Sequence, residues 1–271
     1  MEACCSMRRK VRGLGKELEA AVAAAKAAGE VLRNGFGQHQ EVKYKGEVDL
    51  VTKADENAEQ AIKEVLGEAF PNYGMLAEEG GELEGEGDVR WIVDPLDGTT
   101  NYAHGLPFFC TSIALERNSK VILGVVHDPM ANETYTTERG SGATLNGEPI
   151  GVSDTDEPIR ALLATGFPYD RNEVPVALEI FGQFALRTQS MRRLGSAALD
   201  LCYVAAGRLD GYYERGIKAW DIAAGVQILR EAGGKATDYS GHELDLERGE
   251  VVASNGSLHP ELVRVTGEYR C

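Results

Sequence analysis

Two carboxylates lie close together after an apolar segment in the first half of the chain. In WIVDPLDGTTNYAHG, which begins at Trp91, three apolar residues lead into Asp94, Pro95 and Asp97. Like charges this close repel each other and are costly to desolvate, and Pro95 stiffens the backbone between them. Because the apolar residues predict a buried strand, a solvated helix cap does not account for the pair. Another group must compensate their charge.

Carboxylates stand at the end of an apolar strand or the start of a helix in three further segments. Asp55 follows DLVTKA, Glu78 and Glu79 follow YGMLA, and Asp221 follows AW. Clustered carboxylates without a matching set of basic residues are typical of a hard divalent cation site, and oxygen ligands favour Mg²⁺, Mn²⁺ or Ca²⁺ over Zn²⁺. The spacing of an EF-hand is missing, which argues against a Ca²⁺ sensor. Since Mg²⁺ commonly shares its ligand shell with a substrate phosphate, the pattern favours Mg²⁺.

The residues that follow Asp97 suggest what the metal would do. If Thr99 in the run Gly98-Thr99-Thr100 opens a helix, the free backbone N–H groups there favour an anion, and threonine hydroxyls can position a water. Two or more metals can activate that water and stabilise the leaving oxygen. The predicted chemistry is therefore hydrolysis of a phosphomonoester by in-line attack of a metal-activated water.

Other enzyme classes find less support in the sequence. The chain has no P-loop, no G-x-S-x-G and no H-E-x-x-H, and its five histidines form no close pair. The absent nucleophile elbow and zinc motif argue against a serine hydrolase and a zinc enzyme.

Composition and charge narrow the class of protein further. The chain has 271 residues, with 43 acidic and 28 basic side chains and a formal net charge of −15. A nucleic-acid partner is not expected, because such binders usually carry a basic footprint. No apolar run approaches the roughly 18 residues that span a bilayer, so no membrane partner is expected either. The odd number of cysteines, five, without C-x-x-C predicts reduced thiols and a cytoplasmic protein.

The pattern of helices and strands changes along the chain. Residues 16–34 predict a helix, 48–55 a strand with Asp55 capping the next helix, and 73–81 a buried strand. Strands joined by short turns between residues 89 and 137 predict antiparallel hairpins. After residue 152 helices and strands alternate, which is typical of α/β proteins.

These patterns together predict an α/β layered fold. Its antiparallel sheet belongs to an N-terminal part (16–151), and its α/β arrangement belongs to a C-terminal part (152–271). The two parts should pack as one catalytic unit, and residues 1–15 should form a ragged or disordered extension.

Two of these segments resemble the signatures of a known family. DPLDGTTNYAHG with the upstream AEE, and GIKAWDIAAGVQILREAGG near the C-terminus, resemble the inositol monophosphatase family of Mg²⁺-dependent, lithium-sensitive phosphatases. The resemblance extends from about residue 16 to 268. It implies an alternating αβαβα sandwich of the sugar-phosphatase type, two to three Mg²⁺ ions that Mn²⁺ can replace, inhibition by Ca²⁺ and Li⁺, and a homodimer acting on a small inositol or sugar phosphate.

The resemblance also implies roles for individual residues. The first metal would be bound by Glu78, Asp94 and the Leu96 carbonyl, and the second by Asp94, Asp97 and Asp221. A third, weaker metal would be anchored by Asp55, which also contacts the Thr99 hydroxyl. Thr99 and Glu78 would activate the water. The Gly98 and Thr99 N–H groups would bind the phosphate. Substrate hydroxyls would be contacted by Gly195, Ser196, Ala197 and Glu214.

Several alternatives remain open from the sequence. Fructose 1,6-bisphosphate, histidinol phosphate and nucleotide 3′-phosphates are substrates of related enzymes. The metal ligands cannot distinguish these substrates, because the metals bind the phosphate that all of them share. Arg192 and Arg193 could contact a second anionic group or balance the acidic surface, and Glu214 could be a surface acid at a strand end. A non-enzymatic binding protein on the same fold would require a damaged site, whereas each expected ligand position here carries an oxygen donor.

Overall fold

The computed structural model describes residues 15–38, 42–44 and 50–269. The predicted N-terminal extension therefore lies outside the described residues, apart from Gly15, and so do the first two residues of the strand predicted at 48–55.

Seven helices and fifteen strands make up the described part of the chain. The helices are α1 (Lys16–Gly35), α2 (Lys53–Ala69), α3 (Thr99–Ala103), α4 (Val174–Ala185), α5 (Ala197–Ala205), α6 (Ala219–Glu231) and α7 (His259–Thr266). The strands of the N-terminal part are β1 (Val42–Tyr44), β2 (Leu50–Thr52), β3 (Gly74–Ala77), β4 (Gly81–Leu83), β5 (Val89–Asp97), β6 (Cys110–Arg117), β7 (Lys120–Asp128), β8 (Glu133–Glu138), β9 (Ala143–Leu145) and β10 (Glu148–Pro149). Those of the C-terminal part are β11 (Leu162–Thr165), β12 (Ser190–Arg192), β13 (Gly211–Arg215), β14 (Lys235–Thr237) and β15 (Glu250–Ser254).

The N-terminal part forms an eight-stranded sheet in the order β10-β9-β8-β7-β6-β5-β3-β4. All neighbours are antiparallel except β3 and β5, which run parallel. Asn118 and Ser119, in the turn between β6 and β7, have φ values of 51° and 56°. A two-residue turn with both φ values positive matches the twist of a hairpin, so the hairpins predicted in this region are confirmed.

The C-terminal part forms a five-stranded sheet in the order β12-β11-β13-β15-β14. Here β11 runs parallel to both β12 and β13, while β15 is antiparallel to β13 and β14. The parallel connections carry α4 and α5 as crossovers, as the alternation of helices and strands predicts.

The helices and the two sheets alternate in five layers. α1 and α2 pack on the outer face of the first sheet, α5 and α6 lie between the sheets, and α4 and α7 cover the outer face of the second. This arrangement confirms the predicted α/β fold and its αβαβα layering.

The central helix α6 is largely buried and reaches the pocket described below. Nine of its thirteen residues are buried, as expected for a helix that is apolar on nearly every side. Its first turn is fixed by Ser112 of β6, whose hydroxyl donates to the Trp220 carbonyl at 3.2 Å. The position of Asp221, in that first turn, is therefore determined by the core of the protein.

The start of α2 differs from the prediction that Asp55 caps it. Thr52 is the N-cap, its hydroxyl accepts from the Ala54 N–H, and Asp55 stands at the third helical position. Asp55 Oδ2 accepts from Thr52 N at 2.8 Å and from Thr52 Oγ1 at 2.6 Å. This capping box satisfies backbone donors that would otherwise be left unpaired in a buried helix end.

Two further features concern membrane-spanning helices and cysteine residues. No helix in the described part of the chain combines the length and apolar character needed to cross a bilayer. Cys110 and Cys202, the cysteines within the described ranges, are both buried free thiols.

His259 provides a test of the packing in the C-terminal sheet. Its imidazole is buried between two hydroxyls, with Nε2 3.0 Å from Thr237 Oγ1 and Nδ1 3.0 Å from Ser254 Oγ. Burial lowers the pKa of His259 from 6.5 to about 4. Between these values the unfolded chain binds a proton that the folded protein does not, so stability falls as the pH falls.

We predict that His259 lowers the free energy of unfolding by up to about 3 kcal/mol as the pH drops from 6.5 to 4. In His259→Gln this loss should be absent, so the variant should show a shallower fall than the wild type in urea titrations across this range. Comparing variants cancels the contributions of other titrating groups. The exposed His104→Gln is the control and should keep the wild-type slope. Equal slopes in all three proteins would contradict the assignment.

Candidate active site

A pocket of about 220 Å³ brings together the ends of several distant elements. The carboxylate residues among its lining are Glu78, Asp94, Asp97, Asp200, Glu214 and Asp221. The remaining lining residues that the sequence singled out are Leu96, Gly98, Thr99, Arg193, Gly195, Ser196 and Ala197. Segments more than a hundred residues apart in the chain thus meet at one place.

A bulge in β5 explains how Asp94 and Asp97 reach the same pocket. Residues three apart on a regular strand point to opposite faces of the sheet. The pairing of β5 with β6 shifts between Asp94 and Asp97, where Pro95 has no N–H to donate to the ladder. The extra residue turns both carboxylates toward the pocket, and the Thr111 hydroxyl donates to the Pro95 carbonyl at 3.0 Å.

Asp94 is almost fully buried, with 1% of its surface exposed. Its Oδ1 accepts from the Leu96 N–H at 3.0 Å. Burial raises the pKa of Asp94 well above its ordinary value, and the charges of Glu78, Asp97 and Asp221 raise it further. These effects show that the four carboxylates lie near enough to repel one another.

Asp97 is held by the first turn of α5. Its Oδ2 accepts from Ser196 Oγ and from the Ala198 N–H, both at 2.7 Å. Burial raises its pKa to about 6, and the hydrogen bonds from Ser196 and the backbone oppose that rise. Ser196 therefore links the C-terminal α5 to the strand that carries the carboxylates.

Thr99 lies between Asp55 and the end of β5. Its hydroxyl is 3.2 Å from Asp55 Oδ1 and 3.0 Å from the Leu96 carbonyl, both acceptors for its one proton. Burial raises the pKa of Asp55 to about 6, and the hydrogen bonds from Thr52 and Thr99 favour its ionised form. Asp55 thus orients a hydroxyl at the edge of the pocket.

The turn after β5 depends on a glycine. Gly98 has φ = 101°, and a Cβ there would come within 3.0 Å of the Phe108 carbonyl oxygen. Gly98 is the N-cap of α3, so Thr99 does open a helix, as predicted, although it spans only five residues.

Asp221 occupies the third position of α6, and its Oδ2 accepts from the Lys218 N–H at 2.8 Å. This is one half of a capping box, because a Lys side chain cannot accept the second hydrogen bond. Burial raises the pKa of Asp221 well above its ordinary value, and Asp97 and Glu78 add to that rise by repulsion. Glu78 follows β3 directly, and its N–H donates to the Val93 carbonyl across the parallel pair at 3.2 Å.

The donor set fits a hard divalent cation. Within the described ranges, no Lys, Arg or His forms an ion pair with Asp94 or Asp221, and one oxygen of each makes no hydrogen bond there. The same ranges contain no group of three His, Cys, Asp or Glu side chains that is close enough to form a complete metal site by itself. Buried like charges with free oxygens and the nearby Leu96 carbonyl nevertheless match the ligand chemistry of Mg²⁺ or Mn²⁺.

Glu214 lines the same pocket as these carboxylates. It accepts a short hydrogen bond from the Tyr212 hydroxyl, and burial raises its pKa to about 7. Gly166 leaves room for it, because a Cβ there would lie 2.1 Å from the Glu214 carboxylate oxygens. Glu214 is thus a pocket residue held in place, which argues against the alternative of a surface acid at a strand end.

The two arginines before the α5 loop, which the sequence leaves open as contacts to the substrate, differ in the structure. Arg192 lies outside the pocket lining, and its guanidinium donates to Ser190 Oγ and the Met191 carbonyl. Arg193 lines the pocket instead, and its charge lowers the pKa of Asp97 and Glu214. Arg192 is the last residue of the edge strand β12. Consecutive side chains along a strand point to opposite faces, so Arg192 and Arg193 are directed differently.

The sequence motifs do not single out three other parts of the site. The loop after β11 contributes Gly166 and Phe167, and Asp200 lines the same wall. Asn101 Nδ2 donates at 2.8 Å to both the Phe108 and Leu194 carbonyls, which joins α3 to the α5 loop. Only the general rule that parallel strands end at a binding site could have indicated the β11 loop.

Comparison with known proteins agrees with this fold. The model of the inositol monophosphatase family matches residues 14–270. A protein of Mesorhizobium japonicum named inositol-1-monophosphatase is 45% identical over 251 residues, covering 91% of this chain and 94% of that protein. A Pasteurella multocida protein named Nus factor SuhB is 42% identical over 250 residues, with the same two coverages.

Solved structures give the same result. The inositol monophosphatase from Anabaena (Nostoc) sp. PCC 7120 matches with a TM-score of 0.83 at 45% identity, covering 93% of this chain and 95% of that one. Because the family model spans nearly the whole sequence and these relatives share its fold, the chain belongs to the inositol monophosphatase family.

Proposed function

We propose that this protein is a Mg²⁺-dependent phosphomonoesterase that hydrolyses inositol monophosphate to inositol and phosphate. The observation that carries the proposal is the convergence of Glu78, Asp94, Asp97 and Asp221 on a pocket that Glu214 also lines. Membership of a metal-dependent family and relatives named inositol-1-monophosphatase at 45% identity support it.

The carboxylates would hold the metals in two overlapping sets. Glu78, Asp94 and the Leu96 carbonyl form the first set, and Asp94, Asp97 and Asp221 form the second. Sharing Asp94 between two cations is consistent with the strong repulsion it experiences from its three neighbours. When bound, Mg²⁺ offsets the buried negative charge, attracts the substrate phosphate and makes a coordinated water more acidic.

Asp55 and Thr99 would prepare the nucleophile. The Thr99 hydroxyl donates to an acceptor in the protein, Asp55 Oδ1 or the Leu96 carbonyl, so its lone pairs remain able to accept from a water. Glu78 lines the same pocket and can take the proton from that water. Asp55 would also anchor a third, weaker metal, and the Gly98 and Thr99 N–H groups would hold the phosphate.

Glu214 and the α5 loop would bind the inositol ring. The hydrogen bond from Tyr212 fixes one Glu214 oxygen and leaves the carboxylate facing the pocket. Gly195, Ser196 and Ala197 line the wall beside it. This polar wall suits a ring that carries several hydroxyls, and it favours inositol phosphate over fructose 1,6-bisphosphate, histidinol phosphate and nucleotide 3′-phosphates.

We also infer a homodimer and a cytoplasmic protein. Leu178 on α4 and Leu186, the residue that follows this helix, are 53% and 82% exposed on the outer layer, and exposed apolar side chains on one surface can form a subunit contact. The central antiparallel strands are covered by helices on both faces. The free thiols of Cys110 and Cys202 are consistent with a reducing compartment.

The proposed reaction predicts phosphate release from inositol 1-phosphate that requires Mg²⁺, ceases on chelation and is inhibited by millimolar Li⁺ and by Ca²⁺. Asp94→Asn should lower kcat by about 10²-fold or more, because it removes a charge shared by two metals. Circular dichroism should show an intact fold in this variant. Activity of the wild type in excess chelator, or near-wild-type turnover of Asp94→Asn, would contradict the metal assignment.

Glu214→Gln should raise KM for inositol 1-phosphate by about tenfold and leave the Mg²⁺ dependence of the rate nearly unchanged. The physical reason is that Gln keeps the shape of the side chain and loses an ionised acceptor at the ring. Steady-state kinetics at several Mg²⁺ concentrations separate the two effects. A variant with unchanged KM would remove Glu214 from the ring contact.

The dimer is tested by light scattering coupled to size-exclusion chromatography. We expect a mass near twice the 29.3 kDa of one chain for the wild type and near 29.3 kDa for Leu178→Glu. Exposed Glu179→Ala on the same helix is the matched control and should remain a dimer. A monomeric wild type would overturn the inference.

A further inference from the structure

Asp200 is a buried carboxylate to which the proposed reaction assigns no role. It lies in the first turn of α5, only 2% of its surface is exposed, and it lines the pocket together with Glu214 and Arg193. Its Oδ1 is sealed from solvent and has no hydrogen-bond partner among the described residues.

A buried carboxyl without a partner is costly, because it loses its hydration and gains nothing in return. Its surroundings make the cost larger. Burial raises the pKa of Asp200 well above its ordinary value, and the nearby charges of Glu214 and Asp97 raise it further. Arg193 opposes that rise, yet it is exposed and no ion pair joins it to Asp200 within the described ranges.

The structure offers one place from which a partner can come. The neighbours of Asp200 along α5, Leu199, Leu201 and Cys202, are fully buried, and none of them makes a hydrogen bond to its side chain. Asp200 also lines the wall of the pocket. Native proteins leave few buried polar groups unsatisfied. Oδ1 is out of reach of a ligand, so a ligand in the pocket would pair with the other carboxylate oxygen, Oδ2, which also makes no hydrogen bond among the described residues.

The neighbours of Asp200 restrict the chemistry of that ligand group. Glu214 and Asp97 make the wall acidic, which disfavours a second phosphate or carboxylate beside Asp200. A hydroxyl both donates and accepts a hydrogen bond, so it can pair with a carboxyl in either protonation state. Glu214 already presents one carboxylate to the pocket, and Asp200 adds a second polar contact on the same wall.

We propose that Asp200 determines specificity by hydrogen-bonding a hydroxyl of a polyol phosphate, at a position next to the hydroxyl that Glu214 contacts. The proposal rests on the proposed phosphatase function and deepens it. It assigns the site to substrates with two neighbouring hydroxyls rather than to phosphomonoesters in general.

The test compares Asp200→Leu and Asp200→Asn with the wild type on three substrates: inositol 1-phosphate, glycerol 2-phosphate and p-nitrophenyl phosphate, which has no hydroxyl. For Asp200→Leu, the ratio of kcat/KM for inositol 1-phosphate to that for p-nitrophenyl phosphate should fall about tenfold or more, mainly through KM. For Asp200→Asn, which keeps an acceptor and adds a donor, most of that ratio should be recovered.

The other outcomes overturn the proposal in distinguishable ways. If Asp200→Leu lowers kcat/KM equally for all substrates, or lowers the thermal midpoint without changing the ratio, Asp200 has a structural role only. A wild type that hydrolyses glycerol 2-phosphate and p-nitrophenyl phosphate but not inositol 1-phosphate would contradict only the proposed substrate. The role of Asp200 would then be tested by the ratio of kcat/KM for glycerol 2-phosphate to that for p-nitrophenyl phosphate. A wild type that hydrolyses none of the three would overturn the proposed function and the role of Asp200 together.

Discussion

Repulsion between buried carboxylates is the constraint on which the rest of this structure depends. Glu78, Asp94, Asp97 and Asp221 lie close enough that each raises the pKa of a neighbour, in a place where desolvation already disfavours charge. Left to themselves, such groups would move apart or take up protons. The fold resists this with several separate supports, and each support comes from a different element.

These supports share a common physical form. Asp55 and Asp221 each stand at the third position of a helix and accept from the N–H of the N-cap residue, so each carboxylate also satisfies a backbone donor. Asp97 is held by the start of α5, and Asp94 by the bulge in β5. Because α6 is buried between the two sheets, moving Asp221 would require repacking the core. The fold therefore holds the carboxylates of the pocket together at a cost in stability, and a bound cation would offset that cost.

The sequence could predict the parts of this site that depend on local patterns. The run DPLDGTT stands out because it places two carboxylates three residues apart at the end of an apolar strand. Asp221 stands out because it follows apolar residues at the start of a helix. The fold class follows from the change of periodicity near residue 152. Other parts depend on contacts between distant segments, which one sequence does not encode locally. Asp200 looks like an ordinary helix residue until burial is known, and the direction of Arg193 is set by how β12 ends. Asp55 was predicted to cap α2, whereas Thr52 caps it, because both residue types suit that position and tertiary burial selects between them.

The central claim is that these carboxylates together bind divalent cations. Anomalous diffraction from crystals of the full chain soaked in Mn²⁺ tests it most directly, since Mn²⁺ scatters anomalously and binds through the same oxygen ligands as Mg²⁺. The account predicts at least two anomalous peaks in the pocket, each within about 2.5 Å of Asp94 oxygens and shared with Glu78 or with Asp97 and Asp221. Crystals that show Mn²⁺ elsewhere on the protein and none in this pocket would contradict it.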